Sequence, residues 1–325
     1  MNRLLFLLTL IPGFLYAQSF HPAPGTAGTN AISKDSSCFV AWASGGTIAR
    51  GYINISDTTS TASGLNRASF GNLSKAFGPA TGSTADVVSL GDSGIATLTF
   101  DQFILDGPGY DFAVFENGFT DNYMELAHVE VSSDGIHFFR FPSTSEIPLD
   151  VQTSNASYTD CRMVNNLAGK YRAGYGTPFD LSELPDDVNL NKYAVKFVRI
   201  IDAIGAISGH TTTDHSGHII NDPYPTAFES GGFDLEAIGI INATLGLDDQ
   251  DTPVASVFPN PATDHLQISL TGEANLQVFS PEGRFLFSQE HVNQTLLSLE
   301  NLSPGMYHLQ LIRKGKSQHI AFIKK

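Results

Sequence analysis

Positive charge is scarce in this chain. Its 325 residues include 18 Lys and Arg against 33 Asp and Glu, a formal net charge of −15. A field of that sign repels phosphate backbones and anionic headgroups, so neither nucleic acid nor anionic lipid is an expected partner. Cysteine is scarcer still: Cys38 and Cys161 are the two present, with no Cys-x-x-Cys pair. That gives no support to a thiolate zinc site or a thioredoxin-type redox site, and leaves one disulfide or two buried thiols open. No apolar run reaches the roughly 20 residues of a comfortable membrane helix, so no integral membrane span is expected. Catalytic signatures are missing too, with no Gly-x-Ser-x-Gly elbow, His-Glu-x-x-His pair or P-loop. Helical periodicity is hard to find anywhere in the chain.

What is present begins with a leader. Residues 1–17 read MNRLLFLLTLIPGFLYA, with Arg3 as the positive start, an apolar stretch to Leu15 and a small residue, Ala17, at the end. This is the pattern of a cleaved secretory signal peptide, and the mature chain is expected to begin near Gln18. The acidic excess lies in the middle of the chain. Residues 253–325 hold 5 acidic and 6 basic side chains, which leaves 28 acidic and 11 basic in residues 18–252. Such a charge attracts divalent cations, and it also keeps an extracellular protein soluble. Residues 247–252, Leu-Asp-Asp-Gln-Asp-Thr ahead of Pro253, read as a linker.

The central region, 18–246, reads as all-β with long loops. Asp86–Leu90 and Ile95–Phe100 are two predicted strands around a Gly91-Asp92-Ser93-Gly94 turn. Asp111–Glu116, Ala127–Ser132, Ile136–Phe141, Tyr193–Ile201 and Leu235–Ile241 follow, with short helical pieces at Asn72–Phe77 and near Asp180–Leu184. Many strands punctuated by Gly-rich turns predict a jelly-roll β-sandwich. Residues 253–325 predict a second, smaller, Ig-like β-sandwich. Its strands alternate polar and apolar at His265–Leu270, Asn275–Phe279, Phe285–Phe287, Met306–Ile312 and His319–Ile323.

Two resemblances sharpen this reading. Val257-Phe258-Pro259-Asn260-Pro261 opens the last segment, Ser303-Pro304-Gly305-Met306-Tyr307 lies near its end, and Ile323-Lys324-Lys325 closes it. Together and in order they resemble the type A C-terminal sorting domain of type IX secretion cargo, a Bacteroidetes system. The resemblance implies that Pro259, Asn260, Pro261, Gly305, Tyr307, Lys324 and Lys325 carry a sorting signal read by that machinery. It implies a protein secreted or held at the outer-membrane surface. The central region resembles the galactose-binding-like, discoidin-type jelly roll in its Glu130-Val-Ser-Ser-Asp-Gly135 turn and its last strand, Phe233–Ile240. More closely, it resembles a family of uncharacterised Bacteroidetes cell-surface proteins. The matching segments are Asp86–Gly91, Asp111–Asn117, Glu130–Gly135, Asn221–Thr226 and Gly231–Glu236.

Three groups of residues are candidate sites. Asp106, Asp111 and Glu116 surround a Gly/Pro turn, and Asp222 and Asp234 flank another, so these carboxylates could gather the hard oxygens of one structural calcium ion. Turn aspartates bonding their own backbone are the plain alternative. Loop aromatics and cations, Tyr123, Arg140, Arg172, Tyr175 and Tyr224 with Phe119, Tyr171, Phe228 and Arg162, suit an extracellular glycan, rings stacking on sugar faces. His210, Asp214, His215 and His218 form a histidine-rich run that reads as an exposed loop or a zinc or copper site. The expected function is non-catalytic binding or adhesion. A polysaccharide hydrolase using a pair among Asp111, Glu116, Glu125 and Glu130, or a structural surface-layer component, are the alternatives.

Overall fold

The computed structural model of the protein describes residues 20–243, 255–281, 283–313 and 316–325. The leader at 1–17, the start near Gln18 and the linker at 247–252 lie outside those residues. The chain divides into two compact units, Met1–Thr244 and Leu245–Lys325.

Among the described residues the first unit holds thirteen strands. They are β1 (Ile32–Ser33), β2 (Ala41–Trp42), β3 (Gly45–Ala49), β4 (Val88–Ser89), β5 (Ile95–Ile104), β6 (Phe112–Glu116) and β7 (Ala127–Ser132). After these come β8 (Phe139–Arg140), β9 (Thr144–Ser145), β10 (Val164–Asn165), β11 (Tyr175–Phe179), β12 (Val195–Asp202) and β13 (Asp234–Ile240). One antiparallel sheet runs β3-β5-β12-β7-β8. The other runs β1-β11-β6-β13-β2, with β4 also on β13, and β9 and β10 make a separate pair. The long strands β5, β6, β7, β11, β12 and β13 alternate strictly between the two main sheets, which is the winding of a jelly roll.

The core sits between the sheets because each strand turns alternate residues inward. Ala96, Leu98 and Phe100 of β5, Val198 and Ile200 of β12, and Phe112 and Val114 of β6 meet there, each at most 2% exposed. Phe112, Phe141 and Phe179 pack as an aromatic trio, with centroids 5.0 to 5.8 Å apart. Trp42 is half-buried on the outer face of its sheet, against Phe39 and Phe115. The two predicted helical pieces are single 3₁₀ turns, Leu73–Ala76 and Leu181–Glu183. Each is capped by a side chain, Asn72 or Asp180, that accepts from a backbone N–H two residues on. Cys38 and Cys161 are free thiols, so the disulfide alternative is not realised.

The predicted return strand over 136–141 shrinks to Phe139–Arg140. Asp134 accepts from the N–H groups of Ile136 and His137, at 2.8 and 2.9 Å, and holds that stretch in a turn. Strand β11 adds to the expected set, over a stretch whose Pro178 and Gly176 disfavour a strand. Pro178 nonetheless sits in register with Ala113. Gly176 is required because a Cβ there would come within 2.9 Å of Ala113 and Phe115.

The second unit is a single antiparallel ladder folded upon itself. It contains β14 (Ala255–Phe258), β15 (His265–Phe279), β16 (Phe285–Ser298), β17 (Gly305–Arg313) and β18 (Lys316–Lys324), ordered β14-β15-β17-β18 with β16 on β15. The first half of β15 pairs with β14 and the second half with β17. Its register against β16 breaks between Ser269 and Ala274, which lets the ladder bend around Leu266, Ile268, Leu276, Val278, Leu309, Leu311 and Phe322. Two expected strands, 265–270 and 275–279, are thus one strand bent in the middle.

Candidate functional site

The inward row of β6 reads Phe112, Val114, Glu116, and that of β12 reads Val198, Ile200, Asp202. Both rows end on a carboxylate. Asp234 opens β13 beside them, and loops add Asp92, Glu125 and Asp222. All six are buried, none more than 7% exposed. Backbone amides hold several of them. Asp202 accepts from Phe233 N–H at 2.7 Å and Ser93 N–H at 3.0 Å, Asp222 from Leu126 N–H at 2.5 Å, and Asp92 from Ile55 N–H at 2.7 Å. Asp234 accepts from Ser89 Oγ and from Asn117 Nδ2. Close approach depends on glycine. Gly232 (φ +72°) would place a Cβ 2.6 Å from an Asp202 oxygen, and Gly205 (φ +79°) one 2.6 Å from Asp222 Cβ.

These carboxylates sit in one another's fields with little cationic relief. Among the described residues none is in an ion pair. Arg50, whose guanidinium is tied to the carbonyls of Phe70, Ser89 and Gly71, is the cation that Asp234 feels. Burial pushes Asp92 and Asp234 each up to about 6. Burial, then the nearby Glu125 and Asp234 charges, raises Glu116 well above the ordinary carboxylate range. Burial also raises Glu125, Asp202 and Asp222, with neighbouring acids adding to each. Glu116 Oε2 accepts from Gly118 N–H at 2.7 Å, whereas its Oε1 is buried with no hydrogen-bond partner.

A pocket of about 360 Å³ opens onto this cluster. Glu125 and Asp234 line it, Tyr123 donates its hydroxyl to Glu125 at 3.1 Å, and Phe119, Tyr158 and Phe228 form its aromatic walls. Those three rings are 68%, 76% and 54% exposed, an unusual display of large rings around one opening. The loops at 117–126, 155–158 and 226–230 supply most of the lining, Glu125 included, while Asp234 comes from the start of β13.

The five expected calcium ligands do not converge. Asp111 precedes β6 and Glu116 ends it, which separates them by roughly 16 Å along the strand. Glu116, Asp222 and Asp234 belong to the buried cluster by the pocket. Asp106 and Asp111 instead meet Asp180, with carboxylate oxygens within 4.8 Å of one another. Asp180 was not anticipated as their neighbour. Asp111 accepts from Gly107 N–H, Leu181 N–H and Asn242 Nδ2 at 2.7 to 2.9 Å, so it also holds turns in the way expected of a loop aspartate.

The expected ligand residues are scattered as well. Tyr123 lines the pocket. Arg172 stacks over Tyr175 at 4.6 Å and pairs with Asp121, bracing the loop that carries Phe119 and Tyr123. The Tyr224 hydroxyl donates to Asn54 Oδ1 and shares a second hydrogen bond with the Ser56 hydroxyl. Arg140 pairs with Glu130 on the outer sheet face, away from the pocket lining. That pairing also removes Glu130 from the proposed acid pairs. Tyr171 is a core ring, 1% exposed. In the histidine-rich run, Asp214 accepts from Ser145, Ser216 and His218 N–H groups, which makes it a loop fastener; no group of metal ligands gathers there among the described residues.

The pocket was legible only in fragments. Tyr158, Asp92 and Asp202 stand outside the expected site residues. The usable signal was an acid at an inward position of a period-two apolar row, as in Val198-x-Ile200-x-Asp202.

In the second unit the residues expected to carry the sorting signal come together in space. Asn260 Oδ1 accepts from Ile323 N–H at 2.9 Å, and Asn260 Nδ2 donates to Ala321 O at 3.1 Å. Ala262, just past Pro261, exchanges backbone bonds with Ile323 and Lys325, each 2.8 Å. Lys324 reaches Thr263 O. Tyr307 stacks on Phe322 and donates to Ser303 O at 2.8 Å, while Gly305 pairs with Lys324. The opening Pro259-Asn260-Pro261 turn therefore clasps the terminal strand. Residues 256–325 match the profile of the secretion system C-terminal sorting domain. The tail is a sorting domain. The protein is accordingly a type IX cargo, exported to the cell surface or secreted.

No curated protein matches the chain. Among solved structures, the chain is similar to a biofilm-associated protein BSP domain at 10% identity, covering 71% of this chain and 48% of that one, with a TM-score of 0.22. β-Glucuronidases of Ruminococcus gnavus and Lactobacillus rhamnosus align at 11% and 12% identity over 71% of this chain, with TM-scores of 0.20 and 0.18. The chain spans about half the length of the first and about a third of the others. Likeness at that level carries no argument here, and the fold rests on the chain's own ladders. Among the described residues no helix is long and apolar enough to cross a membrane.

Proposed function

We propose that the exported jelly roll is a non-catalytic carbohydrate-binding or adhesion module. The observation that carries this reading is the pocket of about 360 Å³, walled by the exposed rings of Phe119, Tyr158 and Phe228 above polar groups at its base. Rings offer flat apolar faces to a sugar, and Glu125, Tyr123 and Asp234 offer partners for hydroxyls. A glycan array probed with the full chain tests it. Binding to a defined sugar class should be lost in Tyr158→Ala and Phe228→Ala, which remove exposed rings and should leave the fold intact. An array blank for the parent protein, with calcium and with chelator, removes this reading.

A hydrolase is the second reading, favoured by one observation: Glu125 and Asp234 share the pocket, both raised by burial. A raised carboxyl can serve as general acid beside a second carboxylate. It predicts release of reducing ends from a bound glycan, abolished by Glu125→Gln. A binding module leaves the glycan intact.

Structural calcium, on this proposal, belongs to Asp106, Asp111 and Asp180 rather than to the acids by the pocket. Their oxygens are hard donors close enough to share an ion. Chelator should lower the melting temperature of the parent chain and leave that of Asp180→Ala unmoved. Identical melting curves of the parent with and without chelator count against the ion.

A further inference from the structure

The pocket gathers carboxyl groups without a cationic partner. Glu116, Glu125 and Asp234 lie within one another's fields, buried, and no Lys, Arg or His side chain pairs with them among the described residues. Burying carboxylates without a counter-charge is costly, and the cost is relieved either by a held proton or by a cation taken up at the site. Behind the pocket lining, Glu116 Oε1 is fully buried and accepts no hydrogen bond. A ligand that donates hydrogen bonds and carries positive charge would offset the two acids that line the pocket, Glu125 and Asp234.

The geometry narrows the choice of cation. A small divalent ion needs several oxygens drawn tightly together. Among the described residues the trio that achieves this is Asp106, Asp111 and Asp180, not the acids at the pocket. The pocket instead pairs its acids with aromatic walls, Phe119 and Tyr123 lying with ring centroids 5.8 Å apart. Carboxylates plus ring faces form the environment that recognises an organic ammonium group, which the rings attract through their negative faces. A volume of about 360 Å³ suits a small sugar better than a bare ion.

We propose that the pocket takes a sugar bearing a free primary ammonium group, its rings stacking on Phe119, Tyr158 and Phe228 and its ammonium directed to Glu125 and Asp234. This rests on the carbohydrate-binding reading and adds the charge of the ligand to it. The acidic bias of residues 18–252 steers such a cation toward the protein.

Calorimetric titration of the full chain tests the idea with three probes: a short glucosamine oligomer, its fully N-acetylated counterpart, and a lysine tripeptide. The glucosamine oligomer should bind about tenfold or more tightly than the other two. Glu125→Gln and Asp234→Asn should each weaken it by about tenfold while raising the melting temperature, since each removes a buried charge. A drop in melting temperature in both would leave Tyr158→Ala, whose ring is exposed, as the decisive variant, and it should weaken binding several-fold. Equal binding of the charged and N-acetylated oligomers overturns the ammonium inference and leaves sugar binding standing. Tighter binding of the lysine tripeptide keeps the ammonium and removes the sugar. Binding of none of the three removes both.

Discussion

The two units of this chain treat polar groups in opposite ways. The sorting domain closes on Leu266, Ile268, Leu276, Val278, Leu309, Leu311 and Phe322, and Ser280 is its sole buried polar residue among those described. The jelly roll buries Asp92, Glu116, Glu125, Asp202, Asp222 and Asp234 at one end of an otherwise apolar core. A segment read by an external machine can keep its core apolar and carry its information in turns and strand ends. A segment that holds a ligand keeps polar groups out of water, and it forgoes stability to do so. The buried acids thus mark the place where the jelly roll departs from what folding alone favours.

The comparison can be broken first at the level of export. Deleting 253–325 should leave the jelly roll folded and abolish delivery to the surface, an all-or-none effect read by fractionation and protease accessibility. Normal surface delivery of the truncated chain would show that the sorting domain is dispensable.

The next largest effect is the response to pH. A carboxyl whose folded pKa exceeds its unfolded value binds its proton more tightly in the folded state. The stability it contributes is full below about 4 and is lost as pH rises through its folded pKa. Asp92 and Asp234, ordinarily at 3.8, titrate at about 6 in the fold. Each therefore costs on the order of 3 kcal/mol at pH 7. His128 opposes this. Burial lowers it from 6.5 to about 4, so its contribution is lost as pH falls from about 6.5 to 4. Several raised carboxyls against one imidazole predict a jelly roll that melts higher at pH 5 than at pH 7. The sorting domain, with no buried carboxylate among its described residues, should change little. Asp92→Asn should raise the jelly-roll melting temperature at pH 7 and flatten its pH dependence. A jelly roll most stable at pH 7 would contradict this account of the cluster.

A smaller effect tests the clasp in the sorting domain. Asn260→Ala removes two bonds, to Ile323 N–H and Ala321 O, from an exposed turn. It should cost about 1 kcal/mol and fray β18. Faster hydrogen exchange confined to residues near 320–325 would show it, while the jelly roll stays unchanged.

How much of this was legible in the sequence differs between the units for a physical reason. The sorting domain is built from neighbouring strands joined by turns, so its motifs and strands can be read locally. Even there, β16 runs to Ser298, well beyond the expected Phe285–Phe287, because polar Gln and Asn mask its alternation. In the jelly roll, β6, β7 and β13 appear within a residue of expectation, since apolar alternation marks them. The pocket could not be read that way. Its residues come from stretches as distant as Phe119 and Asp234, brought together by strands that switch sheets. The expected calcium set failed for the same reason: sequence proximity joined Asp111 to Glu116, whereas a strand holds them apart.

Arg140 supplies the smallest effect and a check on where the site lies. It was expected to contribute to ligand binding, yet it pairs with Glu130 across neighbouring strands at 2.8 Å, its side chain 44% exposed. Glu130 keeps a second cation, Arg199 at 3.4 Å, so losing Arg140 does not strand a buried charge. Arg140→Ala should therefore cost less than about 1 kcal/mol, and sugar affinity should not move. If glycan binding fell instead, the site would lie on the outer face of the β3-β5-β12-β7-β8 sheet. The buried acids at the sandwich end would then need a purely architectural explanation.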